Sequence, residues 1–188
     1  MFDSFFAAFL LVAVTEFGDK TQFMILLLAS GGRAFSVLSG ALLAFLVVDG
    51  LAVVFGAFVY SVVPLYLLKF FAGLLFLAFG LWTLLHYASE ARSSFSKNAS
   101  FFSSFVLVAS SEFGDKSQVA VALLAAQSGD LFQVLFGALS ALFILSALAV
   151  FAGYKFLKLV PHGIVRLSSG VLFMLFGFLT FASLFFQS

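Results

Sequence analysis

Cysteine is absent from this chain, proline and histidine occur twice each, and charged residues make up only 9% of its 188 positions. Without cysteine there is no disulfide and no thiolate metal ligand, and the redox compartment stays open. Scarce charge, with 64% hydrophobic residues and a mean hydropathy of +1.24, excludes a soluble domain, whose surface would be one continuous apolar patch. A net charge of +1 gives no hold on nucleic acid. Thirty phenylalanines beside so few Asp and Glu suit lipid-facing helices, not a barrel whose strands alternate with polar lumen residues. An all-α integral membrane protein is expected. The opening Met1-Phe2-Asp3 lacks the basic stretch of a signal peptide, and the first apolar run is too long for one, so it reads as a retained span.

A helix needs about 20 apolar residues to cross a bilayer. Six runs qualify, near 4–29, 34–60, 65–86, 101–126, 131–156 and 163–186. They are separated by Gly31-Gly32-Arg33, Ser61 to Pro64, Tyr87 to Ser100, Ser128-Gly129-Asp130 and Lys155 to His162, with Gly and Pro as ordinary turn chemistry. Only residues 87–100 form a hydrophilic linker of any length, Ser-rich and carrying Glu90, Arg92 and Lys97. The expected organisation is one membrane domain over 1–188, with one repeat over 1–86 and a second over 101–188.

The repeat is legible throughout. Glu16-Phe17-Gly18-Asp19-Lys20-Thr21-Gln22 returns 96 residues later as Glu112-Phe113-Gly114-Asp115-Lys116-Ser117-Gln118. Gly40, Leu51, Pro64, Lys69, Gly73 and Gly80 return 97 residues later as Gly137, Leu148, Pro161, Arg166, Gly170 and Gly177. Three spans per half is an odd number, so the second half must enter the bilayer from the opposite side. The expectation is six transmembrane helices in two inverted three-helix repeats, an arrangement found in transporters with a midplane site at the repeat interface. Arg33, Arg92, Lys97, Lys155 and Lys158 gather on one side, with Arg166 just beyond, against Lys69 on the other. That bias puts both termini outside.

The duplicated motif carries the chemistry. Glu16 lies eleven residues after Phe5, and Glu112 eleven after Phe101, so each stands roughly 16 Å into a core about 30 Å thick. Ionisable groups at that depth mark ion or proton pathways by default. On a continuous helix Glu16, Asp19 and Gln22 would form one stripe, with Lys20 flanking it at ion-pair distance from Glu16. Gly18 and Gly114 would allow either a close helix crossing or a local break. Brought together, Glu16, Asp19, Glu112 and Asp115 cannot all stay ionised, because desolvation and mutual repulsion both penalise charge. Lys20 and Lys116 offset part of it, leaving a deficit near that of one divalent cation, whose departure would drive proton uptake. Oxygen ligands suit Ca²⁺, Mn²⁺ and Mg²⁺; reluctant dehydration disfavours Mg²⁺ in a compact cage. His86 and His162 sit at span ends, outside any such cage.

Glu-Φ-Gly-Asp-(Lys/Arg)-(Thr/Ser), twice in a chain of six spans, resembles the Gdt/MneA-type cation/proton exchanger family. Both copies match at every motif position, and the repeat covers nearly the whole chain. The resemblance implies inverted three-helix repeats, exchange of Mn²⁺ or Ca²⁺ for protons, and Glu16, Asp19, Glu112 and Asp115 as the metal-binding acids. The absence of a targeting segment and the short linker make the chain similar to compact bacterial manganese exporters of the inner membrane. No permanently bound cofactor is implied; Mn²⁺ or Ca²⁺ is the transported substrate. Its partners would be the lipid bilayer, the cation and the proton, and a homo-oligomer is compatible with this.

Blander readings stand beside these. A Glu–Lys pair that merely holds helices together could explain one copy, but buried pairs are weak stabilisers and there are two copies. Lys20 and Lys116 are either charge partners of the glutamates or reach toward water. Gln22 and Gln118 either ligate the ion, the favoured reading, or hydrogen-bond between helices. Thr21 and Ser117 are expected to bond carbonyls of their own helices. Asp49, whose repeat partner is Ser146, is either a proton relay, the favoured reading, or a hydrogen-bonded packing residue. Trp82, Tyr87, Tyr60 and Tyr154 read as interface anchors.

Three competing functions remain. An intramembrane aspartyl protease would need glycine where Glu16 and Glu112 stand. An exporter of an organic cation, such as a basic amino acid, would need room and apolar contacts beside the acids. Four midplane acids would hold a divalent ion too tightly for a passive channel.

Overall fold

The computed structural model describes residues 3–29, 33–85, 100–157 and 162–185. Eight α-helices lie among them: α1 (Asp3–Glu16), α2 (Lys20–Ala29), α3 (Ala34–Val62), α4 (Leu65–Leu85), α5 (Phe101–Glu112), α6 (Lys116–Ser128), α7 (Leu131–Leu157) and α8 (His162–Phe185). Ala34–Val62, Leu65–Leu85 and Leu131–Phe151 are long and apolar enough to cross a membrane, and Phe101–Glu112 and Gly170–Leu184 are shorter apolar helices. The linker 87–100 (Ser100 apart), His86, Tyr87, Arg92, Lys97 and Lys158, and the side chains of Lys20, Tyr154, Lys155, His162 and Arg166, lie outside the described residues.

Local chemistry sets the helix ends. Val63 is extended (φ −102°, ψ 131°), as the residue before a proline must be, and α3 stops there. Ser100 opens α5 with a capping box: its hydroxyl accepts the Ser103 N–H at 3.2 Å while its own N–H donates to Ser103 Oγ at 2.7 Å. Gly129 closes α6 in the left-handed region (φ 66°), its N–H donating to Ala125 O.

The two stretches read as single spans at 4–29 and 101–126 are each interrupted, α1 from α2 at residues 17–19 and α5 from α6 at 113–115, so of the two roles open to Gly18 and Gly114 the structure shows the local break. This corrects the continuous stripe of Glu16, Asp19 and Gln22. Gly18 and Gly114 take φ of 72° and 81°, a region that L residues with a Cβ rarely adopt, so each motif glycine reverses the backbone out of its helix.

Packing is reciprocal between the halves. α7, from the second half, lies mainly along α1 and also touches α2; α3, from the first half, lies along α5 and α6. α4 packs chiefly on α8, where the repeat partners Phe76 and Phe173 stack at 6.3 Å, both fully buried. Small residues carry the closest crossings: a Cβ on Gly40 would strike Phe101 O, and one on its repeat partner Gly137 would strike Phe5 O. The interior is built largely from Ala, Val and Leu, such as Ala8, Ala41, Ala44, Val108, Val121 and Ala138, whereas Phe6, Phe35, Phe58, Phe102, Phe132 and Phe178 face outward. That distribution suits a lipid solvent, where helices associate by close backbone approach rather than by hiding large apolar groups.

These contacts predict a ranking of glycine variants. Gly40→Ala should lower the melting temperature of the detergent-solubilised protein, because the neighbour in the way is backbone. Gly50→Ala, which has open space around the added methyl, should leave it unchanged or slightly raised. Equal melting temperatures for the two would show that the α3–α5 crossing is not tight.

Candidate metal site

Four half-helix ends meet where the two breaks face each other. α1 and α5 end on Glu16 and Glu112; α2 and α6 begin just after Asp19 and Asp115. Asp115 is the N-cap residue of α6 in extended conformation (φ −76°, ψ 164°), with its side chain not used to cap that helix. Acids at helix starts are favoured by the helix dipole, and those starts face the ends of the preceding half-helices. Glu16 and Glu112 are buried at 3% and 4% exposure, and all four motif acids lie within electrostatic range of one another.

Glu16, Asp19 and Asp115 each offer a carboxylate oxygen, and these oxygens lie within 4.8 Å of one another. That is the spacing of an oxygen cage for a hard divalent cation, assembled from both halves of the chain. Glu112 stands outside the group. Its carboxylate is faced by the Thr21 hydroxyl, and its Oε1 is buried with no hydrogen-bond partner. Asp49, buried on α3, lies within electrostatic range of Glu112.

The polar neighbours are swapped between halves. The Ser117 hydroxyl faces Glu16, and Thr21 Oγ1 pairs with Ser111 Oγ at 3.2 Å as well as facing Glu112. Both hydroxyls therefore act across the repeat interface, where bonds to their own helices were expected. The glutamines hold the breaks. Gln22 accepts the Gly18 N–H at 3.0 Å and donates to Glu16 O at 2.7 Å, stitching α1 to α2. Gln118 accepts the Gly114 N–H at 2.6 Å but donates to Val48 O on α3 at 3.3 Å. Lys116 is exposed while Glu112 is buried.

Ser111 and the Val48 carbonyl were missed by the sequence reading. A signal existed for the first: the residue before each motif glutamate carries a hydroxyl, Thr15 or Ser111. Thr15 instead donates to Leu11 O at 2.8 Å within its own helix. Nothing in the sequence marks a backbone carbonyl.

Two buried glutamates and two part-buried aspartates thus gather at the two broken helices of an apolar protein, the kind of arrangement found at ion sites in membrane transporters. The profile of the divalent cation/proton antiporter GDT1 matches residues 4–91 and again 100–187. The chain belongs to the GDT1 divalent cation/proton antiporter family, and is a transporter rather than an enzyme. A Vibrio cholerae serotype O1 protein described as "Putative manganese exporter" is 32% identical over 171 residues, covering 90% of this chain and 86% of the relative. "GDT1-like protein 4" of Arabidopsis thaliana is 29% identical over 205 residues, covering 87% and 89%. "GDT1-like protein 4" of Oryza sativa subsp. indica is 28% identical over 201 residues, covering 93% and 71%. No solved structure matches the chain.

The break geometry makes a graded prediction. Gly114 has open space around it, so a side chain there costs only backbone strain. Gly114→Ala should destabilise by about 1 kcal/mol, and Gly114→Asn by less, since Asn tolerates the left-handed region. Chemical denaturation in detergent measures both; equal stability of Ala, Asn and wild type would mean that the break relaxes without glycine.

Proposed function

We propose that the chain exports Mn²⁺ from the cytoplasm in exchange for protons, with Ca²⁺ as the second candidate cargo. The observation that carries this is the cage of Glu16, Asp19 and Asp115, three carboxylates from both halves within 4.8 Å. Three carboxylates crowded together, Glu16 buried and the two aspartates part-buried, repel one another strongly. A divalent ion relieves that repulsion while bound, and protons relieve it once the ion has left, so the two occupants compete for one site. Competition of that kind is what couples exchange.

The donors are all oxygen, which fits Mn²⁺ and Ca²⁺ and leaves Zn²⁺ and Cu⁺ without the imidazole or thiolate they prefer. Manganese is favoured because a relative covering most of this chain is described as a "Putative manganese exporter". Six membrane crossings in two inverted repeats are supported by the duplicated family match and by the reciprocal packing of α3 and α7. In this reading α1–α2 and α5–α6 are each one interrupted span, and the breaks lie mid-bilayer. Arg33 and the basic residues of 87–100 and 155–158 face the cytoplasm, both termini face outward, and the setting is a bacterial inner membrane. Asp49, with no acidic counterpart in the second half, is the acid we assign to proton relay.

In proteoliposomes with an acidic lumen, the wild type should take up Mn²⁺ and dissipate the pH gradient, with Mg²⁺ the poorest of Mn²⁺, Ca²⁺ and Mg²⁺. Glu16→Gln, Asp19→Asn, Glu112→Gln and Asp115→Asn should each abolish that uptake while the protein still reaches the membrane. A pH gradient indifferent to all three cations would overturn the assignment.

A further inference from the structure

The two motifs agree at six of seven positions, yet the structure holds them differently. Glu16 joins the two aspartates; Glu112 stays outside that group while within electrostatic range of it, with Oε1 buried and without a hydrogen-bond partner. Gln22 closes on its own half through Glu16 O; Gln118 reaches across to Val48 O. Ser111 pairs with Thr21 at 3.2 Å, whereas its counterpart Thr15 bonds its own helix. Phe113 is 72% exposed, whereas Phe17 is not exposed. For the residues that are identical in the two halves, Glu16 and Glu112, Gln22 and Gln118, Phe17 and Phe113, the unequal geometry fits a conformation in which the halves differ.

If the repeats are inverted, the two-fold axis in the membrane plane that relates them also exchanges inside with outside. Applying it to one state gives the oppositely facing state, with the geometries of the halves traded. From this we infer that Asp19 and Asp115 are ligands in both states, while Glu16 and Glu112 alternate as the third carboxylate. In the opposite state Glu112 joins the aspartates and Glu16 withdraws. Gln118 then closes on Glu112 O, and Gln22 reaches Leu145 O, the counterpart of Val48 O. The cage keeps three carboxylates throughout, and changing one glutamate for the other is the change of face. This assignment rests on the transporter reading above and adds to it a division of labour among the four acids.

The test is equilibrium Mn²⁺ binding to full-length protein in nanodiscs, set beside transport. Glu112→Gln should bind within about threefold of wild type, and Glu16→Gln within about tenfold, because it must settle in the opposite state to bind. Both single variants should fail to transport. Asp19→Asn, Asp115→Asn and the double variant Glu16→Gln/Glu112→Gln should each bind roughly 100-fold more weakly or worse, since no state then supplies three carboxylates. Glu112→Gln as damaging to binding as Asp115→Asn would mean one four-acid cage and would overturn the inference. So would Glu16→Gln as damaging as Asp19→Asn beside an intact Glu112→Gln, which would mean a fixed site. Should the double variant fail to fold, the single variants decide alone. A wild type that binds neither Mn²⁺ nor Ca²⁺ would bring down the transporter reading itself, and the inference with it.

Discussion

Carboxylates crowded together in an apolar protein repel one another and lose hydration, and the architecture follows from the ways this chain accommodates four of them. Solvation must come from the protein, from a cation or from protons. The protein's share includes two hydroxyls facing the glutamates and helix starts beside the aspartates. A cation or protons would offset the repulsion among the carboxylates. A site satisfied by its own side chains would hold no cargo, and one with no protein partners would not hold its shape.

The breaks provide the shape. Splitting two apolar helices exposes backbone polar groups where they are costly, and the glutamine four residues after each motif glycine repays this by taking that glycine's N–H. The same residues thus keep the loops narrow and the carboxylates aimed. Around this centre, α7 braces the first broken pair and α3 the second, so each half supports the other's motif. Close glycine crossings fix the bracing helices against backbone, which leaves the contact between the motifs as the natural place for movement.

The sequence displayed the duplicated motif, the helical class and the apolar character, because charge at membrane depth stands out and every span must hydrogen-bond internally. Much else lay beyond it. Gly18 could signal a crossing or a break, since glycine permits both, and only its positive φ distinguishes them. Periodicity placed Glu16, Asp19 and Gln22 on one stripe, a placement that holds only while the helix continues. Which faces pack together was invisible, because lipid-facing and buried positions are both apolar: outward Phe58 and buried Phe76 look alike in the chain. The separation of Glu112 from the other three acids was equally hidden, since identical motifs give no reason to treat it differently.

The most direct measurement is anomalous diffraction at the manganese edge from crystals grown with Mn²⁺. Manganese scattering between the carboxylates of Glu16, Asp19 and Asp115, or of Glu112, Asp19 and Asp115 in the oppositely facing form, is the predicted result. Manganese found only at surface positions, with the two motifs in contact and no ion between their aspartates, would contradict the account.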